Sequence, residues 1–137
     1  MGESGGYNDV VLDHYRNPRN VGEIPGSAAV AQVGDPASGD VLRISLLIED
    51  ERVVDARFKS FGCTAAIAVG SMTTTLIKGM RLVDLERLSN RDVVEALGGL
   101  PEGKIRCSVL AEEAIREAVR RYRGTLSTGA RKDVSCH

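Results

Sequence analysis

Val41-Leu-Arg-Ile-Ser-Leu-Leu-Ile48, Glu49-Asp50-Glu51 and Val53-Val-Asp-Ala-Arg-Phe-Lys59 follow one another along the chain. The first and last are rich in β-branched and aliphatic residues and read as strands. The three acidic residues between them are a polar reversal. Two adjacent strands joined by so short a link pair antiparallel. Alternation puts Val54, Ala56 and Phe58 on one face of the second strand. Before this hairpin, residues 28–34 look extended, and Gly34-Asp35-Pro36 is turn chemistry. After it, Ala65, Ala66, Ile67, Ala68, Val69, Met72, Leu76 and Ile77 carry no charge until Lys78. Small apolar residues on every side predict a helix buried against the sheet, with Gly79 as its stop.

Working outward, residues 7–16 predict a short helix with Val10, Val11 and His14 or Tyr15 on one face. Asn17-Pro18 ends it. Residues 82–88 and 91–97 predict two short helices, the second closed by Gly98-Gly99. A last helix spans Ser108 to about Arg123. Ala111, Ile115, Ala118 and Tyr122 form its apolar stripe, and Glu112–Arg116 and Glu117–Arg121 are favourable pairs four apart. The fold class expected is α+β. One domain covers residues 1–137, with 1–6 as a flexible lead-in and 124–137 as a flexible tail.

Eighteen basic and nineteen acidic residues give a net charge of -1. That balance offers no long-range attraction to a phosphate backbone, so nucleic acid is not the expected partner. No apolar run approaches the roughly 20 residues of a membrane span, so no membrane partner is expected either. Met1 to Gly6 has neither the basic flank nor the apolar stretch of a signal peptide. Three cysteines without an export signal read as reduced thiols in a cytoplasmic compartment. Ordinary buried cysteines are the alternative reading.

Cys63 lies in Phe61-Gly62-Cys63-Thr64, where strand gives way to helix. Cys107 lies in Lys104-Ile105-Arg106-Cys107-Ser108, just before the last helix, for which Ser108 is a fitting N-cap. Glu112 and Glu113 suit the positive end of that helix. Both thiols are thus expected at helix N-termini, where free N–H groups and the helix dipole favour the thiolate. Arg106 adds a positive charge beside Cys107. In Gly34-Asp-Pro-Ala-Ser-Gly-Asp40, Ser38 and Asp40 are two apart and share a side in extended chain, and Gly39 permits a bulge or close approach. A polar hairpin loop with a capping Asp is the alternative there. His14 reads as a packing or partner-contact residue.

Four stretches in this order carry a resemblance: Asp13-His14 with Tyr15-Arg-Asn-Pro-Arg-Asn-Val-Gly22, then Gly34 to Asp40, then Asp55-Ala-Arg-Phe-Lys-Ser-Phe-Gly-Cys63, then Lys104-Ile-Arg-Cys-Ser-Val-Leu-Ala-Glu-Glu-Ala-Ile115. From about residue 7 to 123 the chain resembles the IscU/NifU N-terminal-domain family of iron–sulfur cluster assembly scaffolds. The resemblance implies a three-stranded antiparallel sheet packed against helices, a SufE/NifU-like fold. It implies a scaffold rather than a turnover enzyme, one that binds iron and accepts persulfide sulfur from a cysteine desulfurase. Such a scaffold assembles a [2Fe–2S] cluster and delivers it to apo iron–sulfur proteins. Zinc can take the same place, as thiolate and carboxylate ligands allow.

Carried over residue by residue, the family ligands are Asp40, Cys63 and Cys107, with Cys107 or Cys63 as persulfide acceptor. Two ligand positions differ. Ser38 stands where the family has a cysteine. Arg106 stands where it has a histidine, and has no lone pair to give. Three ligands leave one position open for water, substrate sulfur or an outside residue. Cys136 and His137, at the end of the chain, are candidates to fill it by folding back or by reaching a neighbouring subunit of a homo-oligomer. An unstructured tail is the alternative. Leu100-Pro-Glu-Gly-Lys104 departs from the family's Leu-Pro-Pro-Val-Lys motif, so the resemblance does not extend to docking of a dedicated Hsp70 chaperone. A persulfide relay without cluster assembly and a zinc protein are the competing functional readings.

Overall fold

The computed structural model describes residues 7–35 and 39–135. Its core is the hairpin quoted above. Strand β2 (Asp40–Glu49) and strand β3 (Arg52–Phe61) pair antiparallel, with Ile44 opposite Phe58 and Leu46 opposite Ala56. These four side chains are buried on one face. The reversal uses Asp50 and Glu51, both with positive φ, at 54° and 60°. That pair of left-handed residues matches the twist of a two-residue hairpin. Strand β1 (Ala29–Asp35) adds antiparallel to the other edge of β2, giving the order β1-β2-β3.

One residue of the hairpin departs from simple alternation. Leu47 pairs with Asp55 but Ile48 pairs with Val53, so Val54 is the extra residue of a β-bulge. The bulge resets the alternation. Val53 is fully buried with Ala56 and Phe58, and Val54 faces out at 46% exposure, not inward as expected.

Among the described residues, five α-helices accompany this sheet. They are α1 (Asp9–Arg16), α2 (Thr64–Ile77), α3 (Leu82–Leu85), α4 (Asn90–Ala96) and α5 (Ile105–Ser135), the last preceded by a 3-10 turn at Glu102–Lys104. Helix α2 lies on β3 and α1 lies on α2, while α5 lies on β1 and β2. Ala29 and Ala31 on β1 are buried and small, which lets α5 come close. Helix α2 is buried over most of its surface from Ala65 to Ile77, with Thr75 exposed. The Phe58 ring packs against Gly70 of α2, where an added Cβ would overlap the ring. Glycine therefore stands in mid-helix because an aromatic ring occupies the place of a side chain.

Helix α1 is capped by Asn8, whose Oδ1 accepts from the Val11 amide at 2.9 Å while its Nδ2 donates to the Leu97 carbonyl at 2.9 Å. Val11 and His14 form its buried face, and Val10 and Tyr15 are exposed. His14 Nδ1 lies 2.7 Å from Ser71 Oγ of α2. The same Ser71 oxygen accepts from the Arg19 amide. This bears out a packing role for His14. Asn90 opens α4 one residue early, behind a Ser89–Asp92 capping box. The last helix begins three residues earlier than expected and runs through Gly124 to Ser135, where a flexible tail was expected from residue 124. Once nucleated, a helix adds one bond per residue, and no proline follows Pro101 to interrupt it. Residues 1–6, Cys136 and His137 lie outside the described residues. No helix among the described residues is long and apolar enough to cross a membrane.

Gly70→Ala should destabilise the fold by about 1–3 kcal/mol in denaturant unfolding, because overpacking outweighs the better helix propensity of alanine. Burial, with Arg19 nearby and Asp13 opposing, holds the His14 imidazole below its ordinary value of 6.5. The unfolded chain then binds that proton more readily, so stability should fall as pH drops from about 7 to 5.5, and the slope should flatten in His14→Asn.

Candidate metal and sulfur site

The site forms at one end of the sheet, where three elements begin. Asp40 opens β2, directly after the β1–β2 turn, with Asp35 and Asp40 opposite each other. Cys63 follows β3 and is the N-cap of α2, with φ -81° and ψ 176°. Its sulfur makes no capping hydrogen bond, so it is not committed to the helix. Cys107 is the third residue of α5. One carboxylate oxygen of Asp40 and the two sulfurs all lie within 4.8 Å of one another.

The two sulfurs are 3.8 Å apart. A tetrahedral metal with bonds of about 2.3 Å to sulfur needs adjacent sulfurs about 3.8 Å apart. The pair is thus spaced to hold one metal ion between them. Two thiolates and a carboxylate suit zinc or iron. Among the described residues this group has three members, which leaves the fourth tetrahedral position to another donor.

Glycine makes the close approach at Asp40 feasible. Gly62 has φ 146°, and a Cβ there would collide with Asp40 Oδ1 and come within 3.0 Å of the Gly39 carbonyl. Across the hairpin, Gly34 has φ 110°, and a Cβ there would collide with the Asp40 carbonyl. Both glycines therefore admit Asp40 to the site. Gly39 has φ 91° with nothing near its Cβ position, so its contribution is the turn alone.

The thiols do sit at helix starts, but not in equal surroundings. Cys63 is half-buried, whereas Cys107 is 2% exposed. Burial, then the charge of Cys63, pushes the Cys107 thiol up to about 12. This corrects the expectation that the α5 dipole keeps Cys107 a thiolate in the metal-free chain. Desolvation of the charged form outweighs the dipole. A metal must displace that proton to bind.

Ser108 is not the N-cap of α5. It lies inside the first turn, donates to the Ile105 carbonyl and accepts from Asn90 Nδ2 at 3.2 Å. Glu112 accepts from the Asn90 amide at 2.6 Å, tying the start of α4 to α5, and pairs with Arg116 at 3.0 Å. Arg106 is exposed; the cation that opposes the rise at Cys107 is Lys104. Cys63 is the largest influence raising the Lys104 ammonium, ahead of Tyr7. Burial first, then Cys63, raises the Tyr7 phenol, which also feels the Ala65 amide. Tyr7 and Lys104 thus border the site, and neither was singled out from sequence. Lys104 stood in a quoted motif three residues before Cys107, whereas Tyr7 carried no sequence signal. Ser38, Cys136 and His137 lie outside the described residues, so the structure places none of them at the site.

The family described as "NifU-like N terminal domain" matches residues 6–128. The chain belongs to this family. Its relatives include "Iron-sulfur cluster assembly scaffold protein IscU 1" of Archaeoglobus fulgidus, 45% identical over 116 residues, which are 85% of this chain and 76% of the relative. "Iron-sulfur cluster assembly scaffold protein IscU" of Azotobacter vinelandii is 45% identical over 121 residues, 85% of this chain and 94% of the relative. The crystal structure of the N-terminal part of a NifU-like protein from Brucella abortus superposes with a TM-score of 0.54 at 24% identity, covering 85% of this chain and 78% of that one. That likeness concerns the fold, and bears out the NifU-like α+β expectation.

In this NifU-like domain Gly62 leaves room for the Asp40 carboxylate next to Cys63. Gly62→Ala should lower metal affinity by about 10-fold or more, measured by competition with a chelator, because a displaced supporting group costs that much. An unchanged affinity would show that Asp40 does not depend on Gly62.

Proposed function

We propose that this chain is an iron–sulfur cluster assembly scaffold. It binds iron, accepts sulfur from a cysteine desulfurase, assembles a [2Fe–2S] cluster and passes it to apo iron–sulfur proteins. Iron and sulfur are its cargo, and it carries them without a turnover reaction of its own. The observation that carries this reading is the meeting of Asp40, Cys63 and Cys107, from three separate elements, within 4.8 Å. The names of the relatives point the same way.

The chemistry suits a carrier. Thiolates hold iron firmly, and a carboxylate is a harder, more labile ligand for it. A site of two thiolates and one carboxylate binds a cluster yet can release it. The open fourth position takes water, incoming sulfur, or a residue of a second chain in a homo-oligomer. Zinc fits the same donors and serves as a resting metal. A reducing, cytoplasmic compartment keeps both thiols available. Chaperone docking does not form part of the proposal, since Leu100-Pro-Glu-Gly-Lys104 lacks the second proline of the family motif.

Anaerobic reconstitution with iron, cysteine and a desulfurase tests the reading. The wild-type chain should develop a visible [2Fe–2S] chromophore and transfer it to an apo-ferredoxin. Cys63→Ala should lose the chromophore, and full stoichiometry in that variant would refute the site. Asp40→Ala should slow transfer. A cysteine persulfide without any chromophore would identify a sulfur relay instead, and zinc that resists exchange would identify a zinc protein.

A further inference from the structure

Cys63 and Cys107 are the two cysteines among the described residues, and their sulfurs are 3.8 Å apart. That is close to van der Waals contact. The exposures differ: Cys63 is half-buried and Cys107 is 2% exposed. Outside sulfur therefore meets Cys63 first, while Cys107 waits directly behind it. Ser38, where the resemblance puts the family's first cysteine, offers no competing sulfur.

We propose that Cys63 and Cys107 are a resolving pair, in which Cys107 releases sulfide from a persulfide carried on Cys63. The inference rests on the sulfur-accepting role proposed above. The Cys107 sulfur attacks the inner sulfur of the Cys63 persulfide. A Cys63–Cys107 bond forms, the bond to the outer sulfur breaks, and that sulfur leaves as sulfide with the electron pair. The Cys107 proton goes to the departing sulfide. Persulfide plus thiol thus becomes disulfide plus hydrogen sulfide, with nothing left over. No electron-transfer protein is needed for this release. A dithiol reductant then returns the disulfide to two thiols and is itself oxidised to a disulfide.

The geometry favours the step in two ways. The attacking and attacked sulfurs are already neighbours, so the reaction is intramolecular and gains from proximity. Disulfide closure to about 2.05 Å requires the sulfurs to approach by less than 2 Å. Both cysteines stand at the first turn or cap of a helix, where ends yield more readily than helix interiors. The product also has a consequence for the site. A disulfide removes two of the three donors at once, so the chain cannot hold metal until it is reduced. Metal bound to both sulfurs, in turn, withholds the resolving thiol.

The test uses the full chain carrying Cys136→Ser, which removes the remaining thiol, stripped of metal under anaerobic conditions. Glutathione persulfide serves as sulfur donor and is removed by desalting. Intact mass, a sulfide assay and non-reducing peptide mapping follow the reaction. The added sulfur atom should appear briefly and then be lost together with two hydrogens. One sulfide per chain should be released at a rate independent of chain concentration, and Cys63 and Cys107 peptides should be joined. With Cys107→Ser or Cys107→Ala added, each checked for native circular dichroism, the adduct should stay on Cys63 and sulfide release should slow at least about 10-fold. An adduct that lasts equally long with and without Cys107 overturns the pair and leaves sulfur acceptance standing. No adduct in any variant overturns both.

Discussion

The fit of the Phe58 ring against Gly70 governs how α2 lies on the sheet. Phe58 is one of the largest fully buried side chains, paired across the hairpin with Ile44. Because the ring fills the place of a side chain on α2, a larger residue at position 70 would push the helix away from the sheet. Cys63 caps that helix immediately after β3. The depth of the core packing is thereby passed, through about two turns of helix between Gly70 and Cys63, to the position of a sulfur atom. Helix α5 receives a similar constraint from Ala29 and Ala31, whose small side chains admit it to the sheet. The two thiols are thus placed by packing at some distance from them.

At the site itself the limiting resource is space. Gly62 and Gly34 occupy backbone conformations that other residues adopt only with strain, and both positions are filled by Asp40 atoms. The result is a carboxylate held against two sulfurs that differ in burial. That difference divides labour chemically. The outer thiol is the more accessible to reagents and partners, and burial raises the inner thiol above its ordinary value. Lys104 at the border supplies a cation, which offsets the negative charge of the deprotonated thiols.

Much of this was readable from residue order. The hairpin, the buried helix after it, and the placing of both thiols at helix starts follow from local pattern and from short polar links. The four motifs that carry the family resemblance are also local. What could not be read depends on distant contacts. Alternation assigned Val54 to the core, but a bulge at Leu47–Ile48 turned it outward, and bulges leave no mark in a run of β-branched residues. Ser108 has the composition of an N-cap, yet the helix begins three residues before it, and its hydroxyl instead joins Ile105 and Asn90. Tyr7 reaches the site from far along the chain, which no spacing rule anticipates.

By itself, the sequence determined which residue types were available to the site, with serine at position 38 and arginine at position 106. It also determined the sheet and the main helices, because hydrophobic period and turn chemistry are local properties. Only the tertiary structure decided that Asp40, Cys63 and Cys107 meet within 4.8 Å, and that one thiol is open while the other is buried. Separation and desolvation depend on how whole elements pack, and packing is set by side chains such as Phe58 and Ala31 that take no part in the chemistry.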